Sequence, residues 1–217
     1  MDRDKRYIFL GPPGSGKGTQ AKIIAEKLGL PHIDMGATIR KAIKDKTATG
    51  ITAKTFVESG KLVPGDIVIK MAEERLKQDD TDSGYILDGF PRSLQQAEAL
   101  ESYLRSKNSG INVINLQVPV ETIVDRLSSR LMCTGCPAVF NTKTMPPKVE
   151  GICDKCGSEL YVRTDDNPDT IKSRFGTYEN ETAPLIDFYS ERNSLLNINA
   201  DGGVEEITDS IMNVISE

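Results

Sequence analysis

The chain has 217 residues, 38% hydrophobic and 27% charged, with a formal net charge of −5. This size suits one domain, or one core with inserted lobes. The acidic balance argues against a broad nucleic-acid or anionic-membrane surface, though it leaves room for a local basic cleft. No apolar run approaches membrane-spanning length, and Met1 to Gly11 mixes acids with bases around too short an apolar stretch for a signal peptide, so a cytoplasmic protein is expected.

Tyr7 to Leu10 reads as a first strand. Gly11-Pro12-Pro13-Gly14-Ser15-Gly16-Lys17-Gly18-Thr19-Gln20 follows, and then Ala21, Ile23, Ile24, Ala25 and Leu28 at helical spacing. Strand, glycine loop and helix in this order, with Gly11-x4-Gly16-Lys17, form a phosphate-binding P-loop. Its amide groups wrap a phosphate, the helix N-terminus adds partial positive charge, and Lys17 reaches the outer phosphates. The motif's usual Ser or Thr after the lysine is here Gly18, with Thr19 one place later, so the usual Mg²⁺-ligating hydroxyl is displaced.

Pro31–Asp34 reads as a short second strand, and 35–63 as a polar, helical stretch. Ile67 to Leu76 has helical periodicity. Tyr85–Leu87 is a strand ending at Asp88, where a carboxylate beside the P-loop would hold Mg²⁺, directly or through water. Arg92 offers a planar fork to a phosphate. Ser93-x-x-Gln96 predicts a capping box opening a helix to about Arg105. Val113–Val118 is a strand. Val120, Ile123, Val124 and Leu127 predict the buried face of the next helix, with Arg126 and Arg130 sharing another of its faces. His32, the one histidine, reads as structural.

Residues 131–166 break the alternation and read as an inserted lobe. Cys133-x2-Cys136 and Cys153-x2-Cys156, sixteen residues apart, have zinc-site spacing; four thiolates would close the coordination shell and make the metal structural. Iron and a disulfide are the alternatives. Between Leu131 and Thr164 the four bases Lys143, Lys148, Lys155 and Arg163 face three acids, Glu150, Asp154 and Glu159, which is no nucleic-acid footprint. Asn167 and Pro168 open a long helix that Pro184 is expected to kink. Leu195–Ile198 and Val204–Ile215 are the last strand and helix. The whole alternation predicts an α/β doubly wound parallel sheet, with ligands at the C-terminal ends of its strands.

The loop GPPGSGKGTQ, Leu87-Asp88-Gly89-Phe90-Pro91-Arg92 and the later Glu181-Thr182-Ala183-Pro184-Leu185-Ile186-Asp187-Phe188-Tyr189 resemble the nucleoside-monophosphate kinase family, specifically the adenylate kinases, over nearly the whole chain. The resemblance implies a five-stranded P-loop core (1–34, 64–130, 167–217), a helical NMP-binding lobe (35–63) and a zinc-ribbon-like lid (131–166). It also implies ATP + AMP ⇌ 2 ADP with Mg²⁺, in a monomer without nucleic-acid or membrane partners. By the same resemblance, Gly14, Ser15, Gly16, Lys17, Gly18 and Thr19 bind ATP phosphates, and Asp88 organises Mg²⁺ through water. Arg40 and Arg92 bind the AMP phosphate; Met35, Gly36, Lys61, Leu62, Val63, Gly89 and Gln96 complete the AMP site. Arg126, Arg130, Arg163 and Arg174 close over the transferred phosphoryl group and the ATP end, and the loop 199–203 passes near the ATP base. This chain departs from the family at Met35, where a hydroxyl commonly contacts the base, and at Ala37, where an Asp is usual. GTP as donor, or CMP or UMP as acceptor, is the rival specificity; a nucleotide-gated switch or a zinc-ribbon nucleic-acid binder is the rival class.

Overall fold

The computed structural model describes residues 5–216; residues 1–4, part of the stretch on which the absence of a leader was judged, lie outside it. Five parallel strands, β1 (Arg6–Leu10), β2 (His32–Asp34), β3 (Tyr85–Asp88), β4 (Asn112–Gln117) and β8 (Leu195–Asn199), form a sheet in the order β2-β3-β1-β4-β8. Side chains alternate across β1. Ile8 and Leu10 join an apolar cluster on one face with Ile33, Leu87 and Val113, while Tyr7 and Phe9 join a second with Ile86, Ile114 and Leu116 on the other. A sheet buried on both faces needs near-continuous apolar strands, and these strands supply them.

Helices α1 (Lys17–Leu28) and α9 (Val204–Ser216) contribute Ile24, Ala25, Ile207 and Ile211 to the second cluster. The first cluster takes Met35 from α2 (Met35–Lys44), Ala53 from α3 (Ala48–Glu58), Val68 and Ala72 from α4 (Gly65–Leu76) and Ala97 and Leu100 from α5 (Leu94–Ser106). Leu185 and Tyr189 of α8 (Pro184–Ser190) complete it. Gly11, Asp34, Asp88 and Pro119 all fall at or just after strand C-terminal ends, so the open crevice lies where the chain leaves the sheet.

Several local expectations need correction. Helix α6 (Val120–Ser128) buries Ile123 and Leu127 against Ile171 of α7 (Pro168–Thr177), but Val120 and Val124 are 48% and 50% exposed. A nine-residue helix packed on α7 and the glycine loop along one flank covers a single i,i+4 pair. Arg126 and Arg130 share no helical face, because α6 stops at Ser128 and Arg130 opens strand β5 (Arg130–Cys133). The capping box is half formed: Ser93 Oγ accepts from the Gln96 amide at 3.4 Å, while Gln96 Oε1 accepts from the Arg92 amide at 2.7 Å, one residue too early. The helical run is interrupted just before Pro184, with Thr177, Tyr178 and Ala183 at the joins keeping right-handed helical dihedrals. A π-helical turn at Tyr178–Thr182 separates α7 from α8, placing Pro184 in a first turn where its missing N–H costs nothing. Asn167 caps α7 as expected, accepting from the Thr170 amide at 2.9 Å.

The cysteine lobe holds a second, antiparallel sheet in the order β6-β5-β7, with β6 at Val139–Asn141 and β7 at Leu160–Tyr161. Its buried apolar cluster consists of Cys133, Ala138, Phe140 and Cys153, so two of the four members are themselves possible metal ligands.

Candidate functional site

A cleft of about 1000 Å³ runs over the C-terminal ends of β1, β2 and β3 and under the second sheet. Its floor is the glycine loop. Gly11 has φ 138°, and a Cβ there would lie 2.7 Å from the Leu116 carbonyl, so only glycine lets the loop leave β1 along β4. Gly16 precedes α1 with no side-chain cap, which leaves the helix's first amides for an anion. Lys17 Nζ donates to the carbonyls of Gly11 and Pro12 at 2.8 and 2.9 Å. Burial, assisted by the charges of Arg92, Arg174 and Arg130 and opposed by Asp88, lowers its pKa to about 7. Gly14, Ser15, Gly16, Gly18 and Thr19 all line the cleft; Ser15 Oγ is buried without a hydrogen-bond partner among the described residues.

Asp88 ends β3 directly beside Phe9 of β1. Burial alone would raise its pKa, but His32, Lys17 and Arg92 outweigh it and hold the carboxylate ionised below the usual range. His32 Nε2 lies 3.7 Å from Asp88 Oδ2, too far for a hydrogen bond. A Cβ on Gly18 would come within 3.2 Å of Asp88 Oδ2. A carboxylate from the neighbouring strand thus lies beside the residue that lacks the usual hydroxyl, and an anionic oxygen there fits a Mg²⁺ ligand set. Beyond it, Arg92 Nε donates to the Gly89 carbonyl at 2.9 Å, and Thr182 Oγ1 to the Arg92 carbonyl at 2.8 Å.

On the opposite wall, Asp34 caps α2 by accepting from the Ala37 amide at 2.8 Å. Gly36 and Arg40 line the cleft with Lys61, Leu62, Val63, Gly89 and Gln96. Met35 does not: it is 1% exposed within the first apolar cluster. The first residue of α2 points into the core, and the cleft is met instead by Asp34 before it and Gly36 after it. The Lys61–Val63 segment is anchored from α7, where Ser173 Oγ donates to the Ser59 carbonyl at 2.8 Å and Thr177 Oγ1 to the Gly60 carbonyl at 3.1 Å.

The remaining arginines come from β5, from the exit of the cysteine lobe and from α7. Arg130 grips Asp166 through Nε at 2.8 Å and through Nη2; Arg163 grips Asp165 through Nε at 2.8 Å and through Nη2. Arg174 Nη1 donates to Asp166 Oδ1 at 3.0 Å and to the Asp165 carbonyl at 3.2 Å. Burial opposes ionisation of Asp165, but Arg163, Arg174 and Arg130 prevail and bring its pKa to about 2. Burial brings Arg174 down to about 10, with Arg163 and Arg130 adding to it against the two aspartates. The sequence reading missed this aspartate pair. Its signal was present as the two consecutive acids of Arg163-Thr164-Asp165-Asp166, where the cysteine lobe gives way to α7.

At the other end, Arg126 Nη2 donates to the Gly202 carbonyl at 3.2 Å, and Thr122 Oγ1 to Asp201 at 2.9 Å. Gly202 to Ile207 line the cleft there. Gln20 ties the P-loop helix to this segment, donating to the Val204 carbonyl at 2.9 Å and accepting from Thr208 at 2.8 Å.

The four cysteine sulfurs lie within 4.8 Å of one another, with Cys133–Cys156 at 3.4 Å and Cys136–Cys153 at 3.7 Å. A disulfide needs about 2.05 Å; the edge of a ZnS₄ tetrahedron with bonds of about 2.3 Å is about 3.8 Å. The Gly135 amide donates to Cys133 Sγ at 3.3 Å. The donor set fits a structural zinc.

A sequence model described as adenylate kinase matches residues 9–194. An adenylate kinase of Carboxydothermus hydrogenoformans is 44% identical over 98% of this chain and 100% of its own length. Adenylate kinases of Clostridium botulinum and Clostridium perfringens are 43% and 42% identical, each over 97% of this chain and 98% of theirs.

The lowered pKa of Lys17 has a stability consequence. Between pH 7 and 10 the unfolded chain binds the proton that folded Lys17 lacks, so this residue opposes folding most below pH 7 and progressively less as pH rises. Lys17→Met is therefore expected to raise the melting temperature of the nucleotide-free protein at pH 6, with the gain shrinking by pH 10, as followed by calorimetry.

Proposed function

We infer the mechanism from one premise: the chain belongs to the adenylate kinase family and is a kinase that moves phosphoryl groups between adenylates. The reading is Mg²⁺-dependent transfer from ATP to AMP, giving two ADP. The observation that carries it is the convergence of the P-loop, Asp88, the Arg40 and Arg92 side and the Arg130, Arg163 and Arg174 group on one cleft.

The donor phosphates would lie on the amides of Gly14, Ser15, Gly16, Gly18 and Thr19. Lys17 would exchange the Gly11 and Pro12 carbonyls for phosphate oxygens, regaining a full charge as it does so. Arg126 and the loop 199–203 would take the base end of ATP. Arg40 and Arg92 would hold the acceptor phosphate, with Gly36, Gly89, Lys61, Leu62, Val63 and Gln96 around AMP. Met35 would shape that site from behind, through packing. Arg130, Arg163 and Arg174 would turn from Asp165 and Asp166 to the oxygens of the transferred group. Asp88 would hold Mg²⁺ through water. When bound, the ion neutralises phosphate charge and orients the outer phosphates.

No side chain has to remove a proton. The acceptor phosphate has its second pKa near about 6 and is mostly a dianion at neutral pH. Catalysis then reduces to in-line placement and charge stabilisation. Closure of the lid (131–166) over the core (1–34, 64–130, 167–217) and the NMP lobe (35–63) would exclude water, the competing acceptor. A four-cysteine zinc would hold the lid, whose apolar cluster is too small to do so alone. The protein is read as a cytoplasmic monomer acting on free nucleotides, without nucleic-acid or membrane partners. No helix among the described residues is long and apolar enough to cross a membrane.

A coupled ADP-formation assay over AMP, CMP, UMP and GMP, with ATP and GTP as donors, is expected to give the highest kcat/KM for ATP with AMP. A higher value for CMP or UMP would overturn the specificity. Zinc removal, or Cys153→Ser, is expected to lower the melting temperature and to loosen the lid first, seen as faster amide exchange at 131–166 than in the sheet. An unchanged melting curve after verified metal loss would refute the structural role.

A further inference from the structure

The acceptor side of the cleft carries a negative charge that its phosphate-binding role does not need. Asp34 ends β2, in register with Asp88 at the end of β3, and both line the cleft. Its Oδ1 is committed to the Ala37 amide, while Oδ2 lies 3.8 Å from Arg40 Nη2. That separation is an ion pair in the field sense and no hydrogen bond, so Asp34 does not fix the guanidinium's geometry. Gly36 makes the approach possible. A Cβ there would lie 3.0 Å from Arg40 Nη1 and 3.2 Å from Asp34 Oδ1, between the two charged groups. Both ends of the pair are one-third exposed, facing the cleft.

The same carboxylate occupies the N-terminus of α2, where an anion would otherwise gain from the helix dipole. Its field also supports the charges of Arg40 and Arg92, against burial and against Arg163. With Met35 turned into the core and Ala37 bearing no polar group, Asp34 is the charged side chain that the first turn of α2 presents to the cleft.

We propose that Asp34 sets acceptor affinity in this enzyme, by competing with the AMP phosphate for Arg40 and by repelling that phosphate from the start of α2. The inference rests on the reading of Arg40 as an acceptor-phosphate ligand. Asp34 thereby weakens acceptor binding without touching the donor site, which lies across the cleft on the P-loop.

Asp34→Asn separates charge from structure, because Asn and Asp are comparable helix N-caps. Steady-state kinetics should show KM for AMP falling about threefold to tenfold, with KM for ATP unchanged, the size expected for one charge near a dianion in a hydrated cleft. The melting temperature should stay within about a degree, and Asp34→Ser should move KM for AMP the same way. A KM for AMP that stays constant or rises in both variants would overturn the proposal. Arg40→Ala, assayed alongside, tests the premise on its own: KM for AMP should rise at least about tenfold. If it rises while Asp34→Asn has no effect, the acceptor site stands and the role of Asp34 falls. If Arg40→Ala leaves KM unchanged, the acceptor assignment itself falls, and this inference with it.

Discussion

Concentrated positive charge is the constraint on which this structure turns. Among the described residues, Lys17, Arg40, Lys61, Arg92, Arg126, Arg130, Arg163 and Arg174 line the cleft against Asp34, Asp88, Asp165, Glu205 and Glu206, in a chain of net charge −5. Such a cluster is unfavourable without counter-charge. Six of its members have an internal partner: carbonyls for Lys17, Arg92 and Arg126, and Asp165 and Asp166 for Arg130, Arg163 and Arg174. These partners are oxygen acceptors, as the oxygens of a phosphate are; in the proposed mechanism a nucleotide takes their place.

The parallel sheet makes this concentration possible. Every strand delivers its chemistry at the same end, so Gly11, Asp34 and Asp88 meet although up to 77 positions separate them in the chain. The trade between Gly18 and Asp88 illustrates the economy of the arrangement. With no side chain at Gly18, the carboxylate of Asp88 from the neighbouring strand has room beside the helix start, where a Cβ would come within 3.2 Å of its Oδ2.

Local patterns were legible in the sequence because they are enforced locally. The P-loop needs its glycines in order, α1 carries its own periodicity, and Asn167-Pro168 is a complete helix start. The cysteine spacing likewise reflects one compact cluster. What failed depends on neighbours distant in the chain. Val120 and Val124 fit a helical stripe as well as Ile123 and Leu127 do; the positions of α7 and of the glycine loop decide which pair is covered. Arg130 continues the helical count from Arg126, yet pairing with Asn141 makes it a strand residue. Met35 looked like a base contact by position, and the rotation of α2 over the sheet turned it inward. The Asp165–Asp166 pair was visible as sequence but had no meaning until three arginines from β5, the lobe's exit and α7 were seen to share it.

The most direct test of the exchange of internal for nucleotide partners follows the proton on Lys17. With a pKa of about 7 in the free protein, this lysine is mostly neutral near pH 8, and it must become charged when phosphate oxygens replace the Gly11 and Pro12 carbonyls. Calorimetric titration of ATP into the protein at pH 8, in buffers of different ionisation enthalpy, is predicted to show net uptake approaching one proton, lost in Lys17→Met. Binding with no buffer dependence in the unmutated protein would contradict the account.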